Sequence, residues 1–257
     1  MVSFKHSDAW VAWRTDWLMP AGLLALAFIP VAAGAVRLAE LAGGGPVTPL
    51  NTRFFAAPLP VLLHIVSVTV YSLLGAFQFS AGLRRRWPQW HRAAGRVLVS
   101  AGLVAALSGL WMAMFYAIVP ADSPLLHGFR LFFGSAMALS LVAGVLAIRQ
   151  RDVARHQAWM RRADAIGMGA GTQALTELPL LLLFGPPNES TLALMMGAAW
   201  LLNLAVAEWL IRREREATKQ AVTPVWPSGS KRVSVNITTD AALYGQPPRS
   251  DFDNCGS

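Results

Sequence analysis

Six long blocks that are almost free of charged residues constrain this chain more than any other feature. A helix rises about 1.5 Å per residue, so roughly 20 apolar residues cross the roughly 30 Å of bilayer hydrocarbon. Inside lipid the backbone must satisfy its own hydrogen bonds, so each block is expected to be a helix. The predicted spans are Trp17–Val36, Phe54–Leu83, Val97–Ala121, Leu131–Ile148, Ala165–Pro186, and Ser190–Ala207 completed by Trp209–Ile211. The sequence therefore predicts an all-α, polytopic membrane protein built as a six-helix bundle, with helices two to five as its core.

Composition agrees with a membrane location and argues against nucleic acid. Hydrophobic residues make up 54% of the 257 residues and charged residues 14%, whereas a soluble domain carries about 25% charged residues. The formal net charge of +8 would suit nucleic acid, but the basic residues cluster in short loops between the apolar blocks. We therefore expect the lipid bilayer as the partner, and no nucleic acid.

The arginines also predict an orientation, because cytoplasmic loops carry an excess of Lys and Arg. The segments after the second and fourth spans are arginine-rich, with Arg84, Arg85, Arg86, Arg92, Arg96, Arg149, Arg151, Arg155, Arg161 and Arg162. The opposite side carries only Arg37, Arg53 and Arg130. This bias places the rich loops, and with an even number of spans both termini, in the cytoplasm of a bacterium. The expected location is the inner membrane.

Three regions are predicted along the chain: a cytoplasmic N-terminal segment (1–16), the transmembrane domain (17–217) and a tail (218–257). The tail is polar and rich in Pro, Gly and Ser, so it cannot bury a core of its own. If it is ordered, other membrane subunits are the expected contact. Cys255 is the single cysteine, which excludes an intrachain disulfide.

Four of the five histidines form a pattern across four consecutive spans. His64 lies in the second span near its outer end, and His127 lies at the outer start of the fourth. His91 and His156 lie in the arginine-rich loops, just before the third and fifth spans. Neutral imidazoles facing each other at one depth can hold a haem iron. We expect His91 with His156 as the first such pair and His64 with His127 as the second.

Whether His91 and His156 lie inside helices depends on where two helices begin. Pro88 suits the first turn of a helix, and Asp152 suits an N-cap position. Helices that begin at these residues would enclose both histidines. Otherwise the histidines are interfacial polar groups above the hydrocarbon.

The histidine layout is similar to that of the two-haem transmembrane cytochromes b of the ascorbate-reducible type. In those proteins four consecutive helices carry one histidine each, paired second with fourth and third with fifth. The resemblance implies haem b, iron ligation by these four histidines, and electron transfer across the bilayer. Arginines beside the inner pair could bind the haem propionates, or they could set topology and bind lipid phosphates: Arg92, Arg96, Arg161 and Arg162.

Local motifs resemble the bacterial membrane-protein family called domain-of-unknown-function family 2306, over about residues 60 to 180. The motifs are Gly75-Ala76-Phe77-Gln78-Phe79, Arg84-Arg85, His91-Arg92 with Gly95-Arg96, and His156 with Trp159-Met160 and Arg162. The family implies no established activity, but it implies that these residues on the arginine-rich side act as a set. His127 lies outside these motifs.

The leading hypothesis is therefore a b-type haem electron-transfer protein, and two alternatives stay open. One is a non-catalytic subunit of a larger membrane complex. The other is a small-solute transporter, suggested by Gln173, Glu177 and Asn203 and by the glycines at 167, 169 and 171. Motifs of soluble catalytic sites, such as a phosphate-binding glycine loop or a nucleophile elbow, do not occur, and whether the protein is an enzyme stays open.

Overall fold

A computed structural model describes the backbone of residues 6–118 and 123–222, and the side chains of residues 17–118 and 123–220. Most of the predicted N-terminal segment and tail lies outside these residues. The described part of the chain contains nine helices and no strand. They are α1 (His6–Gly43), α2 (Thr52–Ala56), α3 (Pro58–Gln78), α4 (Ala81–Arg86), α5 (Pro88–Phe115), α6 (Pro124–Arg149), α7 (Val153–Gly167), α8 (Gly169–Phe184) and α9 (Glu189–Val222).

The six predicted spans are confirmed. Six helical segments are long and apolar enough to cross a membrane: 17–43 within α1, α3, α5, α6, α7 together with α8 (153–184), and 189–220 within α9. Large apolar side chains point away from the protein, and Leu182, Leu183 and Phe184 are 76%, 74% and 80% exposed. An apolar surface of this kind is stable in lipid and not in water.

Proline and capping residues fix where the spans begin. α3, α5 and α6 start at Pro58, Pro88 and Pro124, because the missing N–H of proline costs nothing in the first turn. The side chain of Asp152 caps α7 by accepting a hydrogen bond from Arg155 N at 2.9 Å. The expected early helix starts are therefore confirmed, and His91 and His156 both lie inside helices.

Most of the predicted spans need a correction of their boundaries. The first continues to Gly43, the fourth starts at Pro124 and the fifth starts at Val153. The second and third spans illustrate the physical reasons. The second block, predicted from Phe54 to Leu83, is divided into α2, α3 and α4, because Pro58 disfavours a helical conformation at Ala57 before it. The third span starts at Pro88 instead of Val97. Its first turns carry arginines whose long side chains can reach the aqueous boundary, so charge-free residues mark only the hydrocarbon part of a helix.

The fifth span is broken in the middle. α7 ends at Gly167, Met168 lies between, and α8 starts at Gly169. Glycine lowers helix stability by up to about 1 kcal/mol relative to alanine, and two glycines flank the break. A β-carbon at position 171 would lie 2.3 Å from the carbonyl oxygen of Leu26, so this glycine lets α8 pack directly on α1.

Four helices form a ring that contains the core. α3 packs on α5, α5 on α6 and α6 on α7, and α7 closes the ring against α3. α3 and α6 therefore face each other across the ring, as do α5 and α7. The buried core residues come from these four helices: Tyr71, Leu98, Ala106, Phe133, Met137, Leu141, Ala163 and Ile166.

The two ends of the ring are called the α2 face, where α2 lies, and the arginine face, where α4 and the start of α5 lie. Trp17 on α1 packs edge-to-face on Phe77 near the end of α3, so α1 starts at the arginine face. α9 ends at the same face, where Glu214 pairs with Arg161. Assignment of the arginine face to the cytoplasm stays a prediction.

Candidate functional site

A cavity of about 710 Å³ extends from the α2 face into the ring. Pockets of about 300 to 1,000 Å³ are typical of sites for cofactors and other small ligands. The cavity is lined by residues of α2, α3, α5, α6, α7, α8 and α9. Most of the lining is apolar, and only a few of the lining side chains are polar.

Two of the predicted site residues, His64 and His127, line this cavity. His64 comes from α3 and His127 from α6, which face each other across the ring. His64 lies about 9 Å along the axis from the start of α3, and His127 about 4.5 Å from the start of α6. The structure thus brings the second predicted pair to one cavity.

The His64 ring is held in a defined orientation. Its Nδ1 lies 2.9 Å from the carbonyl oxygen of Ala105 and 3.3 Å from Ser108 Oγ on α5. A carbonyl oxygen only accepts, so Nδ1 carries the proton and donates it. Nε2 then keeps a lone pair, which is the form of imidazole that binds a metal. A β-carbon at Gly109 would lie 3.2 Å from His64 Cε1, so glycine there makes room for the ring.

The cavity floor is formed by Tyr71, whose ring is packed between two glycines. β-Carbons at Gly102 and Gly167 would lie 2.7 Å and 2.9 Å from its ring. One wall is aromatic, with Phe133 stacked on Trp200 at a centroid distance of 4.8 Å. The floor and this wall are rigid and apolar, which suits a flat hydrophobic ligand.

Arg53 and Arg130 line the cavity toward the α2 face. Arg53 donates to the carbonyl oxygen of Ala117 at 3.3 Å and lies over the Phe54 ring, 5.1 Å from its centroid. Sequence reasoning missed both arginines as site residues. One signal was present: Arg130 follows His127 by three residues, a spacing that places both on one helix face.

The first predicted pair, His91 and His156, lies at the arginine face on α5 and α7, which also face each other. His156 Nδ1 donates to the carbonyl oxygen of Gly144 at 2.9 Å, which repeats the arrangement of His64. Gly144 also makes room for Met160, since a β-carbon there would lie 2.2 Å from Met160 Cε.

Two of the four arginines predicted to serve haem propionates are bound by acidic residues of α9. Arg161 donates to both carboxylate oxygens of Glu214 at 2.6 Å and 2.7 Å. Arg162 makes a two-point salt bridge with Glu208. Arg92 and Arg96 are exposed on α5. The role of all four toward propionates stays a prediction, and for Arg161 and Arg162 the carboxylates supply a structural role instead.

The polar residues that suggested a transporter mostly join helices. Gln173 donates to the carbonyl oxygen of Met196 at 3.2 Å. Asn203 accepts from Thr172 at 2.9 Å and donates to the carbonyl oxygen of Ala165 at 3.1 Å. These bonds fasten α9 to α7 and α8. Glu177 Oε1 is buried without a hydrogen-bond partner among the described residues.

A conventional metal site is not seen in the part of the chain that the structure describes. No group of three or more His, Cys, Asp or Glu residues there could hold a metal ion. Two histidines are enough for a haem iron, because the porphyrin supplies the other four ligands. The donor set of this cavity therefore fits a haem better than a bare cation.

Comparison with known families gives one result. The family described as "Predicted membrane protein (DUF2306)" matches residues 61–211, which is more than half of the chain. The match contains the ring of four helices and most of α9. No match was found among curated proteins or among solved structures.

Proposed function

We propose that this chain, which belongs to the DUF2306 family of predicted membrane proteins, binds haem b and transfers electrons within the membrane. The observation that carries the proposal is that His64 and His127, from two facing helices, line one apolar cavity of about 710 Å³. Bound haem would supply reversible one-electron chemistry at its iron. The residues of the chain bind it, orient it and exclude water.

His64 is the better prepared of the two ligands. Its Nδ1–H is held by the Ala105 carbonyl oxygen at 2.9 Å, and such a second hydrogen bond fixes the tautomer and the ring direction of a metal-binding histidine. Ser108 Oγ accepts more weakly at 3.3 Å. His127 is partly exposed near the mouth of the cavity, and it would be the second histidine that holds the iron.

The lining around these histidines supports the same ligand. The aromatic wall and the floor at Tyr71 suit a flat apolar ring, and apolar packing shields a haem from water. The haem propionates need cations, and guanidinium groups pair with carboxylates in a two-point geometry. Arg53 and Arg130 line the cavity and would supply these cations.

A second haem site at His91 and His156 belongs to the same proposal. Those residues also come from facing helices, and the bond from His156 Nδ1 to Gly144 O matches that of His64 to Ala105 O. Two sites, one at each face, would give electrons a route across the bilayer. The cavity pair is ranked first here because it has the space that the ligand needs.

An absorption spectrum of the purified full-length protein, produced with ample haem, tests this function. We expect a Soret band that shifts on reduction, and a large loss of haem in His64→Ala and His127→Ala. Gln150→Ala is the control, because Gln150 is exposed at the other end of α6 and is not among the residues that line the cavity. A wild-type protein without a reducible Soret band would refute the proposal and leave the accessory-subunit alternative ahead.

A further inference from the structure

Asp164 is a buried carboxyl group that haem ligation does not use. It lies near the end of α7 and is 7% exposed. Its Oδ1 is fully buried and has no hydrogen-bond partner among the described residues. An ionised carboxylate in such surroundings is strongly disfavoured unless a cation pairs with it, and the usual outcome is that it binds a proton.

A second polar atom without a hydrogen-bond partner lies on α3, on the side of that helix that faces Asp164. Gln78 Nε2 is also buried without a partner in the described part of the chain. A β-carbon at Gly75 would lie 3.4 Å from Asp164 Oδ1, and Gly75 and Gln78 are three residues apart on one face of α3. A buried acceptor and a buried donor placed like this are commonly bridged by internal water.

Asp164 lies about one helical turn from the cavity floor, on the side of the arginine face. Tyr71 is one turn before Gly75 on the same face of α3, and its hydroxyl-bearing ring lines the cavity. The same ring contacts Gly167, which follows Asp164 by three residues. Asp164 and the floor therefore share both α3 and α7.

Toward the arginine face, the polar groups continue to α5. Gln78 Oε1 lies 3.9 Å from the position of a β-carbon at Gly95. His91 precedes Gly95 by four residues, so it lies on the same side of α5, one turn closer to the surface. Tyr71, Asp164 and Gln78 thus succeed one another from the cavity floor toward the arginine face, where Gln78 lies beside α5.

We propose that Asp164 is a proton-binding site on a polar route between the arginine face and the cavity floor. The role of Asp164 in compensating the charge of an electron in the cavity rests on the proposed function. Without haem the Asp164 carboxyl group keeps its proton. In the oxidised, haem-loaded protein the positive charge of the iron would favour the carboxylate; a one-electron reductant removes that charge, and one proton from the aqueous phase at the arginine face then binds the Asp164 carboxylate. Reoxidation removes the electron and releases the proton. The coupling between the electron in the cavity and the proton on Asp164 is strong because charges interact strongly at low dielectric.

Other ionisable groups at this end of the bundle have to be separated from Asp164 by the experiment. They include Tyr71 on α3, the arginines of α4, His91, Arg92 and Arg96 on α5, Arg149 on α6, Asp152, Arg155 and His156 at the start of α7, and the pairs Arg161–Glu214 and Arg162–Glu208. Asp164→Asn removes the acid and keeps its size. Glu177→Gln is the matched control, since Glu177 is a partly buried acid that also has one buried oxygen without a hydrogen-bond partner among the described residues.

Infrared spectroscopy of the full-length protein in lipid vesicles tests proton binding without any need for haem. At neutral pH we expect a carboxylic-acid C=O band that shifts in D₂O, is lost in Asp164→Asn and is retained in Glu177→Gln. Gln78→Leu should keep the band and slow its shift in D₂O at least tenfold. A spectrum that Asp164→Asn leaves unchanged would overturn the proposal.

The coupling to electrons is measured by titrating the midpoint potential of the haem-loaded protein against pH. One proton per electron gives a slope of about 59 mV per pH unit in wild type, and Asp164→Asn should give a flat line. Equal slopes in both proteins would overturn the coupling. Absence of haem would refute the proposed function, while the infrared result would still decide proton binding at Asp164.

Discussion

The two ends of the four-helix ring carry similar histidine pairs but are filled differently. At the α2 face, His64 and His127 line an apolar cavity of about 710 Å³. At the arginine face, Met160 and Trp159 pack on Gly144 beside His156. The same helix ring thus offers space at one end and dense contacts at the other.

Glycine serves opposite purposes at the two ends. Gly109 leaves space beside the His64 ring, whereas Gly144 gives up its space to Met160. Charge is also used differently, because Arg161 and Arg162 close the arginine face through carboxylates of α9. We infer that the α2 face already has room for a ligand, whereas at the arginine face the space beside His156 is filled by side chains that hold helices together.

The largest expected effect comes from filling the cavity. In Gly109→Leu the new side chain would start 3.2 Å from His64 Cε1 and occupy space that the haem needs. We expect haem retained per protein to fall at least tenfold, measured from the absorbance of the purified protein. Gly128→Leu is the control, because a β-carbon there meets nothing within 4 Å. Normal haem content in Gly109→Leu would contradict the assignment of the cavity.

A smaller effect is expected from overfilling the floor between the two ends. In Gly102→Ala the added carbon would lie 2.7 Å from Tyr71 and 2.8 Å from Leu141. Overpacking of this kind costs about 1–3 kcal/mol, which lowers a thermal midpoint by about 2–12 °C. Thermal unfolding in detergent measures it, with Gly128→Ala as the control for helix propensity. An unchanged midpoint would mean that the floor is less rigid than the packing implies.

The smallest expected effect is at the arginine face. Arg162→Gln breaks the salt bridge to Glu208, which is partly exposed, and we expect a cost of about 0.5–1 kcal/mol. The loss should diminish in high salt, because salt screens exposed pairs. Thermal unfolding at two salt concentrations measures it, with the exposed Arg92→Gln as the control. A loss of haem in Arg162→Gln would instead support the predicted propionate role and break the contrast between the two faces.

The number of spans could be predicted from the sequence because it depends on the lengths of apolar blocks. The helix starts at Pro88 and Asp152 could be predicted because they depend on local chemistry. The presence of a cavity beside His64 and His127 could not be predicted. It depends on how each helix is rotated about its axis, and spans that are apolar on every side give no rotational signal.

The partners of Arg161 and Arg162 could not be predicted either. Glu208 and Glu214 lie some fifty residues along the chain, on a helix whose placement follows from tertiary packing. For the same reason, the sequence alone suggests Gln173 and Asn203 as transport groups, although both bond to neighbouring helices. A polar residue in a span shows that a partner is needed, but not which helix supplies it.

α1 starts at the arginine face and α9 returns to it. Once the compartment on one side of the protein is known, the compartment on the other side is therefore known too. A single compartment-sensitive reporter, such as a phosphatase that is active only outside the cell, would settle the matter when fused to the Glu214 end of α9. It would also show which aqueous compartment supplies whatever enters the cavity at the α2 face.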